Sequence, residues 1–203
     1  MTYQLCTSKY STHQIIKQLV SFGKTVLDIG CNNGYLGKFI NHGNIFYGLD
    51  NSKESVSKAK TKYQKAINYD LNSVKKLPWN IKFDIIIFAD VLEHLIDPEK
   101  TLKFFINHYL KRGGEIIISL PNIANWEIRL NLILGRFEYR DCGILDKTHL
   151  HFYTFKSAGE MAISLGLKIN KEIGTSLFFG GVIKTFPVLK KILSTEIILV
   201  CTK

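Results

Sequence analysis

The sequence predicts an α/β fold: a mostly parallel sheet with helices on both faces. Three observations carry this. Short apolar segments alternate with amphipathic stretches of helical length, the rhythm of right-handed βαβ crossovers. One segment, Phe83-Asp84-Ile85-Ile86-Ile87-Phe88, is apolar almost without interruption, as a parallel strand covered on both faces is. Four aspartates, Asp28, Asp50, Asp70 and Asp90, close successive strands.

The elements follow in order. Ser11 caps a helix over 12–22, with Ile15, Ile16, Leu19 and Val20 on one stripe and Gly23 ending it. A first strand at 25–29 enters the turn Gly30-Cys31-Asn32-Asn33-Gly34, and a helix continues over 35–41. The second strand, 44–49, ends at Asp50; Ser52 caps a lysine-rich helix through 63; a third strand, 66–69, ends at Asp70. After the strand at 83–88, Asp97-Pro98 starts a helix that runs to about 110, since proline suits the first helical turn. Gly113-Gly114 then leads into a strand at 115–120. Beyond Pro121 the rhythm changes to a helix over 122–134, a polar loop over 135–147, a helix over 155–165 and a strand over 167–173. An apolar, partly helical insertion at 178–193 precedes a last strand at 196–202. With no internal repeat, low-complexity tract or linker, the expectation is one domain over 1–203, with a substrate-side lid segment at 121–153 and an insertion at 175–194.

Composition narrows the function. At 203 residues the chain is long enough for one well-buried core and short for two domains. A hydrophobic fraction of 46% with 22% charged residues excludes disorder for the bulk of it. No apolar run reaches the ~20 residues of a membrane span, and Met1-Thr2-Tyr3-Gln4-Leu5 lacks the pattern of a secretory signal. Cys6, Cys31, Cys142 and Cys201 are scattered, without CxxC or zinc-site spacing, so free thiols in a reducing compartment and a cytoplasmic location are expected. The net charge of +10 raises nucleic acid, but it comes mostly from lysines spread from Lys9 to Lys203, with arginine only at 112, 129, 136 and 140. The expectation is no nucleic-acid partner; the charge also suits an anionic small substrate. No clustered ligand set argues for a metal.

In open parallel sheets ligands sit beyond the carboxyl ends of the strands, where strand order reverses. Gly30 and Gly34 bracket a tight turn where a ligand approaches the backbone. Asp50, closing the second strand, is placed to accept hydrogen bonds from both hydroxyls of a ribose. The run Val26-Leu27-Asp28-Ile29-Gly30-Cys31-Asn32-Asn33-Gly34 resembles the first motif of class I S-adenosylmethionine-dependent methyltransferases, with Asn32 where that family usually has a glycine. The turn lacks GxGxxG, which makes a nicotinamide cofactor the poorer reading. Phe88-Ala89-Asp90-Val91-Leu92-Glu93-His94-Leu95 resembles the fourth-strand motif of the same family. The resemblance implies a Rossmann-like, seven-stranded sheet with an antiparallel last strand, and S-adenosylmethionine as cofactor. It further implies that Asp28, Gly30, Cys31, Asn32 and Gly34 meet the methionine half, Asp50 and Asn51 the ribose, Asp70 and Leu71 the adenine, and Ala89 and Asp90 the sulfonium. Asp70 could instead simply cap a turn.

The stretch from Leu120-Pro121-Asn122 through Trp126, Arg129, Gly135-Arg136-Phe137 and Gly143-Ile144-Leu145-Asp146-Lys147-Thr148-His149 to Tyr153-Thr154 is similar to methyltransferases encoded with bacterial capsule and O-antigen genes. More loosely it resembles ubiquinone-type O-methyltransferases and methyltransferase-like proteins of methionine biosynthesis. Candidate substrate contacts are Asn122, Trp126, Arg136, Arg140 and Tyr153. For Trp126 core packing weighs as much as stacking on a substrate, and Arg129 as easily pairs with an acid on its own helix. A hydroxyl acceptor gains from a base, for which His149 comes first and His94 second, His151 also lying in range. Asp146 is a conceivable partner for His149, whose alternative role is to pin the loop. His13, His42 and His108 need no functional reading. The insertion suits a lid, a dimer contact or a membrane-surface patch, with shallow packing over the cleft as the default.

Three function classes remain. The leading one is O-methylation of a sugar or sugar-linked acceptor in surface-glycan (capsule or lipopolysaccharide) synthesis. Next come methylation of a quinone or lipid-type small molecule and a non-catalytic methyltransferase-like binding module. No stable membrane insertion is expected, and a homodimer stays open.

Overall fold

A computed structural model describes residues 8, 10–40 and 43–203; the readings for Met1–Leu5, Cys6, Lys9, Asn41 and His42 lie outside them. Seven strands form one sheet: β1 (Thr25–Ile29), β2 (Ile45–Asp50), β3 (Lys65–Asn68), β4 (Phe83–Ala89), β5 (Leu110–Pro121), β6 (Lys168–Thr175) and β7 (Glu196–Thr202). Their spatial order is β3-β2-β1-β4-β5-β7-β6. Every pair from β3 to β5 is parallel, and β7 runs antiparallel to both β5 and β6. The expected sheet, antiparallel last strand included, is what forms.

Period-two alternation divides each central strand between two cores. Leu27, Ile29, Ile86, Phe88, Ile116 and Ile118 face one, while Val26, Ile85, Ile87 and Ile117 face the other. The first core is closed by α4 (Pro98–Tyr109) and α6 (Phe155–Ser164), through Leu102, Phe105, Ala158 and Met161. The second is closed by α1 (Thr12–Leu19), α2 (Tyr35–Phe39) and α3 (Lys53–Ala59), through Ile16, Leu36, Val56 and Ala59. A buried leucine or isoleucine contributes ~1.5–3 kcal/mol, so the two covered faces supply most of the stability.

The caps stand where the sequence puts them. Ser11, Ser52 and Asp97 each accept a backbone N–H in the first turn of α1, α3 and α4. Several elements have other bounds than the periodicity predicts. The helix expected over 122–134 is only α5 (Trp126–Ile133), capped by Asn125, because Asn122 is taken up in a backbone bridge to Tyr153. The insertion folds as α7 (Gly180–Thr185), a 3-10 turn at Pro187–Leu189 and α8 (Lys190–Leu193). It packs on Tyr10, which a Cβ on Gly180 would strike, and ties to β6 through the ion pair Lys190–Glu172 at 2.7 Å. Among the described residues no helix is long and apolar enough to cross a membrane.

Candidate functional site

Strand order reverses between β1 and β4, and two adjoining cavities open there at the carboxyl ends of the strands. One, about 140 Å³, is lined by Asp28, Gly30, Cys31, Asn32, Ala89 and Asp90, with His13. The other, about 260 Å³, is lined by Asp50, Asn51, Asp70 and Leu71. Gly30, Asp90 and His94 belong to both. Thus ten of the eleven expected cofactor residues line this crevice. Gly34 does not: it opens α2 with φ +71°, and a Cβ there would lie 3.1 Å from the backbone of Ala59. Close packing of α2 on α3, and not ligand access, requires the glycine.

The turn is held from β2. Leu49 accepts the N–H groups of Gly30 and Cys31 at 2.8 and 2.9 Å, and the Asp50 carboxylate accepts those of Asn32 and Ser52, both at 2.8 Å. Asn32 adopts φ +45°, a left-handed conformation that asparagine tolerates better than most residues, which explains how it replaces the expected glycine. At Gly30, φ is +71° and an added Cβ would stand 2.5 Å from Val91 Cγ2. The floor is therefore bare backbone with a carboxylate at its far end. That cradle fits a nucleoside whose ribose hydroxyls donate to Asp50.

Asp28 is buried in β1 and accepts the Tyr63 hydroxyl at 2.5 Å. Burial raises its carboxyl to about 7 against the opposing Tyr63 bond, with Asp50 adding repulsion. Burial also pushes the Cys31 thiol far up, so that group is inert. Asp90 sits at φ +55° and accepts the Ser119 hydroxyl at 2.6 Å. Asp70 caps its own turn through Asn72 N–H at 3.0 Å, as well as lining the second cavity.

The segment from 145 to 151 docks on the 3-10 turn Leu92–His94, because the N–H groups of Leu150 and His151 both donate to the Glu93 carbonyl. Docking brings His149 to His94, ring centroids 4.7 Å apart and edge to face. His149 Nδ1 lies 3.1 Å from the Ile144 carbonyl, and burial lowers its pKa. Asp146 is not its partner: the carboxylate accepts the amide and hydroxyl of Thr148, at 2.8 and 2.7 Å. Those bonds hold Asp146 below the ordinary carboxylate range despite opposition from burial. His151 points to the Ile96 carbonyl at 3.4 Å.

Two expected substrate contacts are structural. Asn122 is fully buried, and its amide donates to the carbonyls of Lys191 and Ser194, tying the end of β5 to the approach of β7. Tyr153 is buried in the first core, where burial and then the Glu93 charge raise its hydroxyl pKa. Trp126 is 41% exposed and meets Phe179 edge to face. Arg129 donates to the Ala124 carbonyl of its own helix entry at 2.6 Å, not to a neighbouring acid. Arg140 pairs with Glu127 at 3.3 Å and, with Arg136, lines a separate hollow of about 230 Å³. No residue of the insertion lines either cavity of the crevice, so it packs beside the cleft and not over it.

Sequence reasoning passed over four groups. His13 lines the first cavity; Ser119 and Tyr63 hold Asp90 and Asp28; Glu93 is buried with both carboxylate oxygens unpaired. A glutamate set among Val91, Leu92 and Leu95 was the signal available. Burial, then repulsion from Asp90, drives Glu93 well above the carboxylate range; burial does the same to Glu196, with Asp90 adding.

A family model described as methionine biosynthesis protein MetW matches residues 10–190. The chain belongs to the MetW family. Among curated relatives, a ubiquinone biosynthesis O-methyltransferase of Coxiella burnetii is 34% identical over 126 residues, covering 60% of this chain and 53% of that protein. A tRNA U34 carboxymethyltransferase of Campylobacter fetus is 40% identical over 102 residues, 47% of this chain and 36% of that one. The MetW-family chain thus spans about half, or less, of the length of these relatives. Its fold matches an S-adenosylmethionine-dependent methyltransferase from Mesorhizobium loti (TM-score 0.67, 16% identity, 95% of this chain and 98% of that one). It also matches magnesium protoporphyrin IX methyltransferase from Synechocystis, solved with bound SAH (TM-score 0.64, 19% identity, 93% and 78%). The MetW-family chain thus has the Rossmann-like fold of these S-adenosylmethionine-dependent methyltransferases.

Proposed function

We propose that this MetW-family protein methylates a hydroxyl of a small, anionic acceptor, a sugar or sugar-linked molecule of surface-glycan synthesis first among them, in the cytoplasm. One observation carries the reading: the two cavities meet at Gly30, Asp90 and His94, with the Asp50 carboxylate in one and Asp28 in the other, and His149, which lines neither cavity, packs against the His94 ring. Asp50 and Asn51 would hold the ribose, Asp70 and Leu71 the adenine side, and Asp28 the methionine ammonium.

S-adenosylmethionine supplies a methyl carbon on a sulfonium, whose C–S bond breaks as the acceptor's C–O bond forms. The chain's own part is alignment and proton removal. His94 stands between the cavities, and His149, with Nδ1 turned to the Ile144 carbonyl, keeps Nε2 for the acceptor's proton. Phe137, edge to face with Tyr139 and Phe152, would supply a wall for the acceptor ring, with Arg136 and Arg140 meeting its anionic group.

A quinone-type phenol is the second reading, favoured by the ubiquinone O-methyltransferase relatives and by exposed Leu130 and Ile133 on α5 and Leu134 at its C-cap. Incubation with S-adenosylmethionine and two acceptor panels, nucleotide-sugars and dihydroxyphenols, separates them by which product gains a methyl group. Activity lost in His149→Ala, with S-adenosylhomocysteine binding intact, supports catalysis at this site. Binding without turnover of either panel would leave the non-catalytic module that the family's methionine-biosynthesis description allows.

A further inference from the structure

Glu93 is 1% exposed, and among the described residues neither of its carboxylate oxygens has a hydrogen-bond partner or an ion pair. A buried carboxylate without a counter-charge is strongly unfavourable, and such groups are kept where a cation meets them. Two imidazoles lie beside it. One ligand atom each from Glu93, His94 and His149 fall within 4.8 Å of one another. His149 is far in sequence from Glu93 and His94, but the docking of Leu150 and His151 on the Glu93 carbonyl, at 2.8 and 3.1 Å, makes their meeting a property of the backbone.

We infer that Glu93, His94 and His149 form a binding site for a divalent transition-metal ion, zinc or manganese. Two imidazoles and one carboxylate suit a borderline ion better than calcium or magnesium, which prefer all-oxygen shells. Ligands of a single ion at ~2.1 Å lie at most ~4.2 Å apart, so side-chain shifts well under the width of an atom close the set. Both rings are held as metal-bound histidines are, the far nitrogen fixed by a second group. His149 Nδ1 faces the Ile144 carbonyl, and His94 Nδ1 lies 3.1 Å from the Thr148 hydroxyl and 3.3 Å from its carbonyl. This orientation leaves Nε2 of each ring for the ion. No clustered ligand set was legible along the chain, because His149 is far in sequence from the adjacent Glu93 and His94.

Three protein ligands leave a coordination position open, the arrangement of catalytic rather than structural sites. His94 lines both cavities, so that position would meet the acceptor. There the ion would lower the pKa of the bound hydroxyl, whose proton passes to solvent before the oxygen takes the methyl group. His149 is then a ligand instead of a free base. This role rests on the proposed methyl transfer; ion binding does not.

The test uses the full chain stripped with chelator, titrated with Mn²⁺ by electron paramagnetic resonance and with Zn²⁺ by calorimetry. One ion per chain is expected, with affinity reduced at least 100-fold in both Glu93→Gln and His149→Ala. Asp50→Ala should bind the ion normally and lose S-adenosylhomocysteine. Melting curves without metal establish that the variants are folded, and Mn²⁺ should raise Tm in the wild type and Asp50→Ala but not in Glu93→Gln or His149→Ala. A wild type that binds neither ion, or binding that survives both substitutions, overturns the site. Undiminished methyl transfer in metal-free Glu93→Gln overturns the catalytic role. Ion binding with no turnover of any acceptor counts only against the methylation reading.

Discussion

Asp28 is a carboxyl whose folding cost and function oppose each other. Its ordinary value of 3.8 is raised to about 7, chiefly by burial, with the Tyr63 hydroxyl opposing and Asp50 reinforcing the rise. The sign follows from proton linkage. Between those two values the folded chain binds the proton that the unfolded chain has released, so stability falls as pH rises through the window. At about 1.36 kcal/mol per pH unit, a rise from 3.8 to about 7 removes about 4 kcal/mol by pH 8 and nothing below pH 3.8. Asp28→Asn keeps the shape and can still bond Tyr63, so it isolates this group from Glu93 and Glu196. Urea unfolding of both proteins from pH 4.5 to 8 should show the variant gaining on the wild type progressively, by several kcal/mol at the top of the range. The ammonium of the cofactor's methionine half would need the ionised form. S-adenosylhomocysteine affinity should therefore climb about fivefold from pH 6 to 7 in the wild type and lack that step in the variant. A stability difference that does not change with pH, or a variant less stable than the wild type at pH 8, would refute the reasoning.

Asp50→Ala removes the proposed ribose acceptor and leaves the amides of Asn32 and Ser52 without their carboxylate partner. At ~1.5–3 kcal/mol for a charge-assisted hydrogen bond, calorimetry should find S-adenosylhomocysteine bound on the order of 100-fold more weakly, and a change under twofold would exclude the ribose role. Gly30→Ala combines φ +71° with a Cβ 2.5 Å from Val91 Cγ2. It should cost ~1–3 kcal/mol in denaturant and abolish cofactor binding; an unchanged midpoint and affinity would contradict the close-packed floor. Tyr63→Phe strips the buried Asp28 of its donor and the Gly37 amide of its acceptor, so about 1–3 kcal/mol should be lost at pH 8 by urea titration. Asp141→Ala breaks the solvent-exposed pair with Lys147 and should leave Tm within error.

Much of the fold was legible because its determinants are local. The continuous apolar run at β4 and the caps at Ser11, Ser52 and Asp97 act over a few residues, and those elements begin where the sequence puts them, although α1 and α3 end earlier than expected, at Leu19 and Ala59. The candidate crevice was legible for a related reason: parallel strands in register carry the residues at and just beyond their ends to one edge of the sheet, so Asp50, Asp70 and Asp90 needed no further information to line one cavity. Beyond Pro121 the reading weakened. Asn122 carries the same side chain whether it faces a substrate or clasps the carbonyls of Lys191 and Ser194, and only the fold chooses.

The sequence by itself determined the sheet, the glycine turn and the acids along its edge, since alternation and strand direction suffice to place them. The tertiary structure alone decided that Asp146 bonds Thr148, that Tyr63 covers Asp28, and that Glu93, His94 and His149 meet. The last of these contacts depends on how a loop settles on a distant turn. Backbone hydrogen bonds to a single carbonyl, at Glu93, fix that docking, and no pattern of residue types along the chain encodes it.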